Sequence, residues 1–525
     1  MFRVLALALL AVPILAGVYP NPVATDDHGE YVVLTAPADT DLGAYALTDG
    51  EATVSLPNVT VSGRIALTAD PGIVRNLTDA RVVAIPDGIH LSNAGEAVEL
   101  LRNDTVVSRL QYGDAPEGEL FANDTWTPLG ATDFPALSTT DASVRAFVLP
   151  DDPSVPLDAL SDAHSRLLLA GYTFSSERVA RVLLAAASRG VAVRVLVEGG
   201  PVGGVTEREK RVLDELAAGG VTVRVLDGPH ARYAYQHAKY AVADDHAVVT
   251  SENWKPGSIG GHATRGWGVV VHDEAVADRL AAIQTADSTW RDAVPWHEYE
   301  RNTTFQPGER ATATYPTRFP DSDVTADATV YVTPDDGHAT VLDTVRNASA
   351  RLLVQQVRIE DDRFLNATLA AARRGVRTRV LLSGAWYVRD DNRKLVRRLR
   401  RTARSEGLNL RARLVDPRGR FDHLHVKGVV TEDAALVGSL NWNHESVVDN
   451  REVMVALRGR TVAEFYARVF RADWRGGVWR LPLGALAVIL VVLALTAALV
   501  RKRVSFSESA RIGVRGRVPR PPSSR

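Results

Sequence analysis

A chain of 525 residues with 46% hydrophobic content and a formal charge of −2 should fold as a globular protein of several domains with attachments. It contains no cysteine, which excludes disulfides, thiolate metal sites and cysteine nucleophiles. The tail after residue 500 carries eight basic residues against Glu508, so the remainder is acidic and a poor electrostatic partner for nucleic acid.

The first seventeen residues, MFRVLALALLAVPILAG, have the layout of a secretory signal peptide: one arginine, an apolar run, then small residues. From 18 to 115 short β-like runs alternate with turn residues, which predicts a small all-β sandwich. Its pieces GEYVVL, DLGAYALTDG and LSNAGEAVELLRNDTVVSRLQYGD, with the preceding YPNP, resemble the lamin-tail domain, and the resemblance implies an immunoglobulin-like accessory or binding module. A linker is expected over 116–143.

From 144 onward apolar strands alternate with amphipathic helices, and the pattern occurs twice. RAFVLPDD matches VYVTPDD, SRLLLAGYTF matches ARLLVQQVRI, and RVLLAAASRGVAVRVLVEGG matches ATLAAARRGVRTRVLLSGA. Gly190 and Gly375 end equivalent helices where a left-handed cap is needed. The reading is two homologous α/β lobes, 144–297 and 326–478, joined by a Pro/Thr/Asp-rich linker over 298–325. Residues 481–500 form an uncharged apolar run between Trp474, Trp479 and Arg501-Lys502-Arg503, which predicts one transmembrane helix followed by a basic cytoplasmic tail, 501–525. Seven of the fifteen asparagines lie in N-x-S/T sequons (Asn58, Asn76, Asn103, Asn123, Asn302, Asn347, Asn366), all before that run, in agreement with an exported ectodomain at the cell membrane.

Both lobes carry one chemical arrangement. HAKYAVAD (237–244) is followed by Thr250-Ser251-Glu252-Asn253-Trp254, and HVKGVVTE (425–432) by Gly438-Ser439-Leu440-Asn441-Trp442. Strand side chains two apart share a face, so His237 and Lys239 project together, as do His425 and Lys427. An imidazole beside an ammonium suits a phosphate: the lysine binds anionic oxygens, and the histidine attacks or moves a proton near neutral pH. The hydroxyls of Ser251 and Ser439 and the amides of Asn253 and Asn441 can add hydrogen bonds to phosphate oxygens.

The doubled HxKxxxxD with its S-x-N extension resembles the phospholipase D superfamily over roughly 144–478. The resemblance implies a bilobal enzyme with one shared site, a phosphohistidine intermediate, and no metal or other cofactor. By that analogy His237 is the nucleophile and His425 the acid, while Lys239, Lys427, Asn253 and Asn441 neutralise the phosphate. Asp244 and Glu432 then orient or brace the motif strands, Glu432 standing where the pattern has aspartate, with Asp433 as a substitute. Glu452, in NREVMV, would fix the ring of His425, and no equivalent carboxylate is found for His237.

Trp254 and Trp442 line the pocket mouth or pack in the core. His423 shares the face of His425 and is read as a polar wall residue rather than half of a metal pair. The basic run 393–404 is a solvated helix face, with attraction to head groups or a nucleic acid backbone as its other reading. The leading function is an exported, membrane-anchored phosphodiesterase acting on phospholipids by hydrolysis or phosphatidyl transfer. The alternatives are an extracellular nuclease and a non-catalytic surface binding protein.

Overall fold

The computed structural model describes residues 12–23, 27–86, 89–227, 231–308, 311–335, 337–476 and 483–508. Residues up to 475 form one unit, and those from 476 a second.

The N-terminal part is a two-layer β-sandwich. Its six-stranded sheet runs in the order Thr125–Pro128, Glu119–Ala122, Ile14–Tyr19, Tyr31–Asp41, Thr60–Thr68, Arg81–Ala84, and its four-stranded sheet in the order Thr53–Ser55, Ala46–Thr48, Ala97–Arg102, Thr105–Gln111. Period-two alternation builds it: Val32 and Leu34 point between the sheets with Leu47, Ile65 and Leu100, while Tyr31 and Val33 face outward with Tyr19 and Ala66. That outer face meets Trp290 of the first lobe. A side chain on Gly130 would collide with the Trp290 ring, at 2.3 Å from Cε2, so the glycine permits this docking.

Two expected boundaries move. Residues 1–11 of the proposed signal segment lie outside the described residues, but Ile14–Tyr19 is a strand hydrogen-bonded on both sides, with Val18 and Tyr19 fully buried. Ending the segment at residue 17 would cut that strand. The span 116–143 is not a linker either, because 119–122 and 125–128 complete the sandwich and Leu137–Leu149 already belongs to the first lobe.

The two lobes share one continuous sheet. From the first outer edge its order is Ala293–Pro295, Thr222–Leu226, Ala192–Glu198, Arg166–Gly171, Tyr240–Ala243, His246–Thr250, Thr264–His272, Leu137–Leu149. Ser322–Thr333 then pairs antiparallel with Leu137–Leu149 and opens the second lobe: Glu452–Arg458, Ala434–Gly438, Gly428–Val430, Arg351–Gln356, Arg377–Leu382, Leu410–Leu414. The same succession read outward from the seam in both directions is the internal repeat made visible. Local signals agree: Ser176 and Asp361 cap the helices Glu177–Ser188 and Asp362–Arg373, and Gly190 and Gly375 follow them at φ +91° and +92°.

One sheet face of each lobe and the helices Glu274–Thr289 and Arg460–Arg475 bury a common core, in which Trp267 of the first lobe lies 4.8 Å from Tyr466 of the second. The Tyr466 hydroxyl donates to the Gly268 carbonyl (2.7 Å). The opposite faces have separate cores. Trp254 and Trp442 belong to these: the Trp254 indole donates to Ala170, Trp442 stacks on Phe364, and neither lines a pocket mouth. The expected linker over 298–325 holds few regular elements but is pinned, with Thr317 and Phe319 bonded to Asp151 and Gln306 to Val205.

The transmembrane helix expected over 481–500 is corrected: among the described residues no helix is long and apolar enough to cross a membrane. Residues 481 and 482 lie outside the described residues, as does the tail from 509. A helix does run from Leu483 to Glu508, and of its side chains those of 488–501 are described.

Asp244 and Glu432 brace the lobes at equivalent points. Asp244, at φ +50°, accepts from the backbone of His164, Ser165 and Arg166; Glu432 accepts from Ser349, Ala350 and Arg351. The longer glutamate reaches the same turn, and Asp433, paired with Thr431, does not substitute for it. Burial opposes ionisation of Glu432, but the bonds from Ser349 and Arg351 prevail and lower it to about 2. A depressed carboxyl stabilises the fold above its ordinary range and loses that contribution as pH falls toward 2. Glu432→Ala should cost about 1–3 kcal/mol and raise the acid-unfolding midpoint, read by circular dichroism.

Candidate active site

Each motif histidine sits just before its strand, where the chain crosses to the other lobe. The His237 backbone N–H donates to the Arg451 carbonyl (2.9 Å), and that of His425 to the Arg265 carbonyl (3.0 Å). Lys239 and Lys427 follow at the buried strand ends.

Arg265 and Arg451 are fully buried and anchored from both lobes. Arg451 meets Asp335 of its own lobe (2.8 Å) and Asp287 of the other (2.8 Å); Arg265 meets its own Asp151 and the other lobe's Asp473 (3.2 Å). The carbonyls that receive the histidines are therefore set by charge pairs that need both lobes.

The ring of His237 donates from Nδ1 to Glu452, 2.8 and 2.9 Å from its two oxygens. This corrects the expectation that Glu452 serves His425: the carboxylate crosses the seam. His425 has its own partner, missed from the sequence: Glu252 Oε2 of the first lobe lies 3.6 Å from Nδ1. Glu252 occupies the variable position of Ser-x-Asn, where an acidic residue in TSEN was the available signal. A second unforeseen neighbour is Tyr172, edge-on to His237 at 4.8 Å, with the Lys239 ammonium 5.1 Å from its ring.

Lys427 Nζ lies 3.0 Å from the ring nitrogens of His425 and donates to the Ser251 carbonyl of the other lobe at 3.2 Å. Lys239 donates to the His237 carbonyl. The two pairs form one electrostatic site. Burial first, then Lys239 and Lys427, push His237 well below its ordinary value. Burial and the same two lysines do so to His425, with His237 adding to the effect. Burial lowers Lys239 and takes Lys427 down to about 7, Glu252 and Glu452 opposing; burial raises Glu452 to about 7. An anion entering here would restore the charge of the lysines.

Asn253 and Asn441 each have a buried amide oxygen without a hydrogen-bond partner; that oxygen only accepts, so a phosphate oxygen would be met by the Nδ2 hydrogens of the same amides. The serines are otherwise engaged. Ser251 Oγ accepts from the Trp267 N–H, and Ser439 Oγ accepts from the Val453 N–H and donates to its carbonyl, so both hold the neighbouring strand. Asp244 and Glu432 are bracing groups and do not join the histidines. His423 is exposed and, with Trp386, Arg389, Arg393 and Asp422, lines a cavity of about 350 Å³. Among the described residues no group of three His, Cys, Asp or Glu side chains could hold a metal ion.

No curated protein matches the chain. Among solved structures, phosphatidylserine synthase from Haemophilus influenzae Rd KW20 is 12% identical, with 62% of this chain and 84% of that one covered and a TM-score of 0.46. Polyphosphate kinase from Porphyromonas gingivalis is also 12% identical, covering 62% and 50%, at a TM-score of 0.41. Nuc, a phospholipase D family member from Salmonella typhimurium, is 18% identical over 30% of this chain and 99% of that one, at 0.26. The family model described as "Cardiolipin synthase, PLD-like domain" matches residues 157–287 and 341–474, just over half of the chain. Those two stretches are the two lobes, and with a histidine and a lysine from each gathered at one seam the chain belongs to the phospholipase D superfamily.

Proposed function

We propose that this protein is a phosphodiesterase that cleaves or transfers the phosphatidyl group of phospholipids through a phosphohistidine. The observation that carries the reading is the exchange at the seam, in which each catalytic histidine has a carboxylate of the opposite lobe at its Nδ1 side. With Nδ1 of His237 tied to Glu452, Nε2 keeps its lone pair for phosphorus. In the first step the His237 Nε2–P bond forms and the P–O bond to the leaving group breaks, that oxygen taking a proton from His425. In the second, water or an alcohol gives its proton to His425 as its oxygen bonds to phosphorus, and the P–N electrons return to His237. Lys239, Lys427, Asn253 and Asn441 hold the non-bridging oxygens.

Several features support a lipid substrate and an exported, membrane-associated enzyme. The matching family model is described by a lipid synthase. Trp386 and Tyr387 stand exposed, Trp386 at 81%, beside the cavity that carries Arg389, a pairing suited to an anionic head-group layer. On the basic helix Arg389–Ser405, Arg393 and Lys394 pair with Asp390 and Asp391, which weakens the case for a nucleic acid track. Apart from Thr496, residues 488 to 500 expose apolar side chains. All seven sequon asparagines are exposed against two of the other eight, as glycan attachment outside the cell would require.

On labelled phosphatidyl substrates, His237→Ala and His425→Ala should each lower turnover at least ~10³-fold, and parent quenched in alkaline detergent should carry ³²P on histidine that is absent from His237→Ala. Activity on single- or double-stranded DNA without lipid turnover would replace the lipid reading with a nuclease, and no activity on either, in parent and variants alike, would favour a binding protein. Tungstate binding, followed by calorimetry, should weaken as pH rises through about 7, where Lys427 loses its proton and Glu452 becomes charged; the fall approaches about tenfold per unit for each proton lost. Protein recovered from its native host should carry mass increments on peptides containing the exposed sequons.

A further inference from the structure

Backbone hydrogen bonds put the two lobes in residue-by-residue correspondence. Ser251 N donates to Trp267 and Ser439 N to Val453; Thr250 pairs with Gly268 and Gly438 with Met454; Leu149 pairs with Gly266 and Thr333 with Glu452. Gly266 is therefore the counterpart of Glu452, and Leu440 the counterpart of Glu252. In the second lobe the carboxylate stands on the strand and an apolar residue fills Ser-x-Asn; in the first lobe the two are interchanged.

The space confirms the exchange. A Cβ built on Gly266 would lie 2.1 Å from Cγ, 2.3 Å from Oε1 and 2.6 Å from Cδ of Glu252. The glutamate thus fills the volume into which a side chain at 266 would project. The φ of Gly266 lies outside the left-handed region, so its backbone does not require glycine. Glu252 is fully buried, receives the Thr264 hydroxyl on Oε2 (2.6 Å), and has Oε1 without a hydrogen-bond partner. Oε2, the oxygen that receives Thr264, is also the one 3.6 Å from Nδ1 of His425, so the hydroxyl fixes the carboxylate that faces the imidazole.

We infer that Glu252 is the positioning residue for His425, supplying from Ser-x-Asn the carboxylate that Gly266 lacks, so that His425 presents its other nitrogen to the leaving group. The inference rests on the two-histidine reading above. It gives the two carboxylates separable duties: Glu452 supports attack by His237, and Glu252 supports proton transfer by His425.

The test compares parent, Glu252→Gln, Glu252→Ala and Glu252→Ala/Gly266→Glu on two diesters that differ in the group expelled, p-nitrophenol or a simple alkanol. Glu252→Gln should lose about 10–100-fold in kcat on the alkyl ester with KM within about threefold. On the nitrophenyl ester, whose leaving group needs no proton, it should release a fast stoichiometric burst and then stall, with phosphohistidine accumulating, because activation of water still passes through His425. The double variant, which rebuilds the second lobe's arrangement in the first, should recover at least about tenfold of what Glu252→Ala loses, at an unchanged melting temperature. Equal slowing on both esters without a burst, kcat on the alkyl ester within twofold of parent, or a folded double variant no better than Glu252→Ala would each overturn the assignment. A parent chain that turns over neither ester and forms no phosphohistidine would remove the two-histidine reading, and this inference with it.

Discussion

The structure depends on two buried arginines held by aspartates from opposite lobes. Desolvating these charges is expensive, and removing one partner of such a pair typically costs ~3–5 kcal/mol because the other is left buried and uncompensated. The cost falls wherever the lobes separate, since Arg451 needs Asp287 of the first lobe and Arg265 needs Asp473 of the second. The same arginines present the carbonyls that fix the His237 and His425 backbones. Stability at the seam and geometry at the site are thus one constraint, and neither lobe has a complete site alone.

Inside that constraint the charges are arranged to receive an anion. Two buried lysines and two partly buried histidines face the buried Glu252 and Glu452, and burial drives every one of these groups toward neutrality. A phosphodiester brings the negative charge that keeps both ammonium groups protonated and allows an imidazole to hold a proton. Substrate binding and the protonation state needed for chemistry are therefore linked through the same electrostatics.

Much of this was legible in the sequence, because the repeat and the motif are local patterns. Strand alternation, capped helices and the glycines at 190 and 375 report the lobes directly. The doubled histidine and lysine likewise announce a phosphate site. The partner of each histidine was not legible, because it comes from the other lobe. Glu452 lies in the same lobe as His425 and was assigned to it, yet it bonds His237. Glu252 is not announced by position, because the residue of the first lobe equivalent to Glu452 is Gly266, which has no side chain. Boundaries failed for another reason: the apolar run that reads as a leader also supplies the start of an inner strand, Ile14–Tyr19, and periodicity alone does not separate the two uses.

The departures from symmetry are where one histidine becomes different from the other. A two-step displacement needs one ring to attack phosphorus and one to shuttle protons, and two identical half-sites would give no basis for the choice. Here Tyr172 packs against His237, whereas the corresponding position of the second lobe is Val357, buried among Ala385 and Val388. Glu198, raised to about 7 by burial, accepts the backbone N–H of Gln236 beside His237, while its counterpart is Ser383. The carboxylate at His237 sits at 2.8 Å and that at His425 at 3.6 Å. A tightly held Nδ1 keeps one tautomer and a fixed lone pair, which suits a nucleophile; a looser contact lets the other ring take up and release its proton as charge moves to and from phosphorus. Divergence after duplication has left the backbone frame alike in both lobes and concentrated the differences on the groups that touch the two rings.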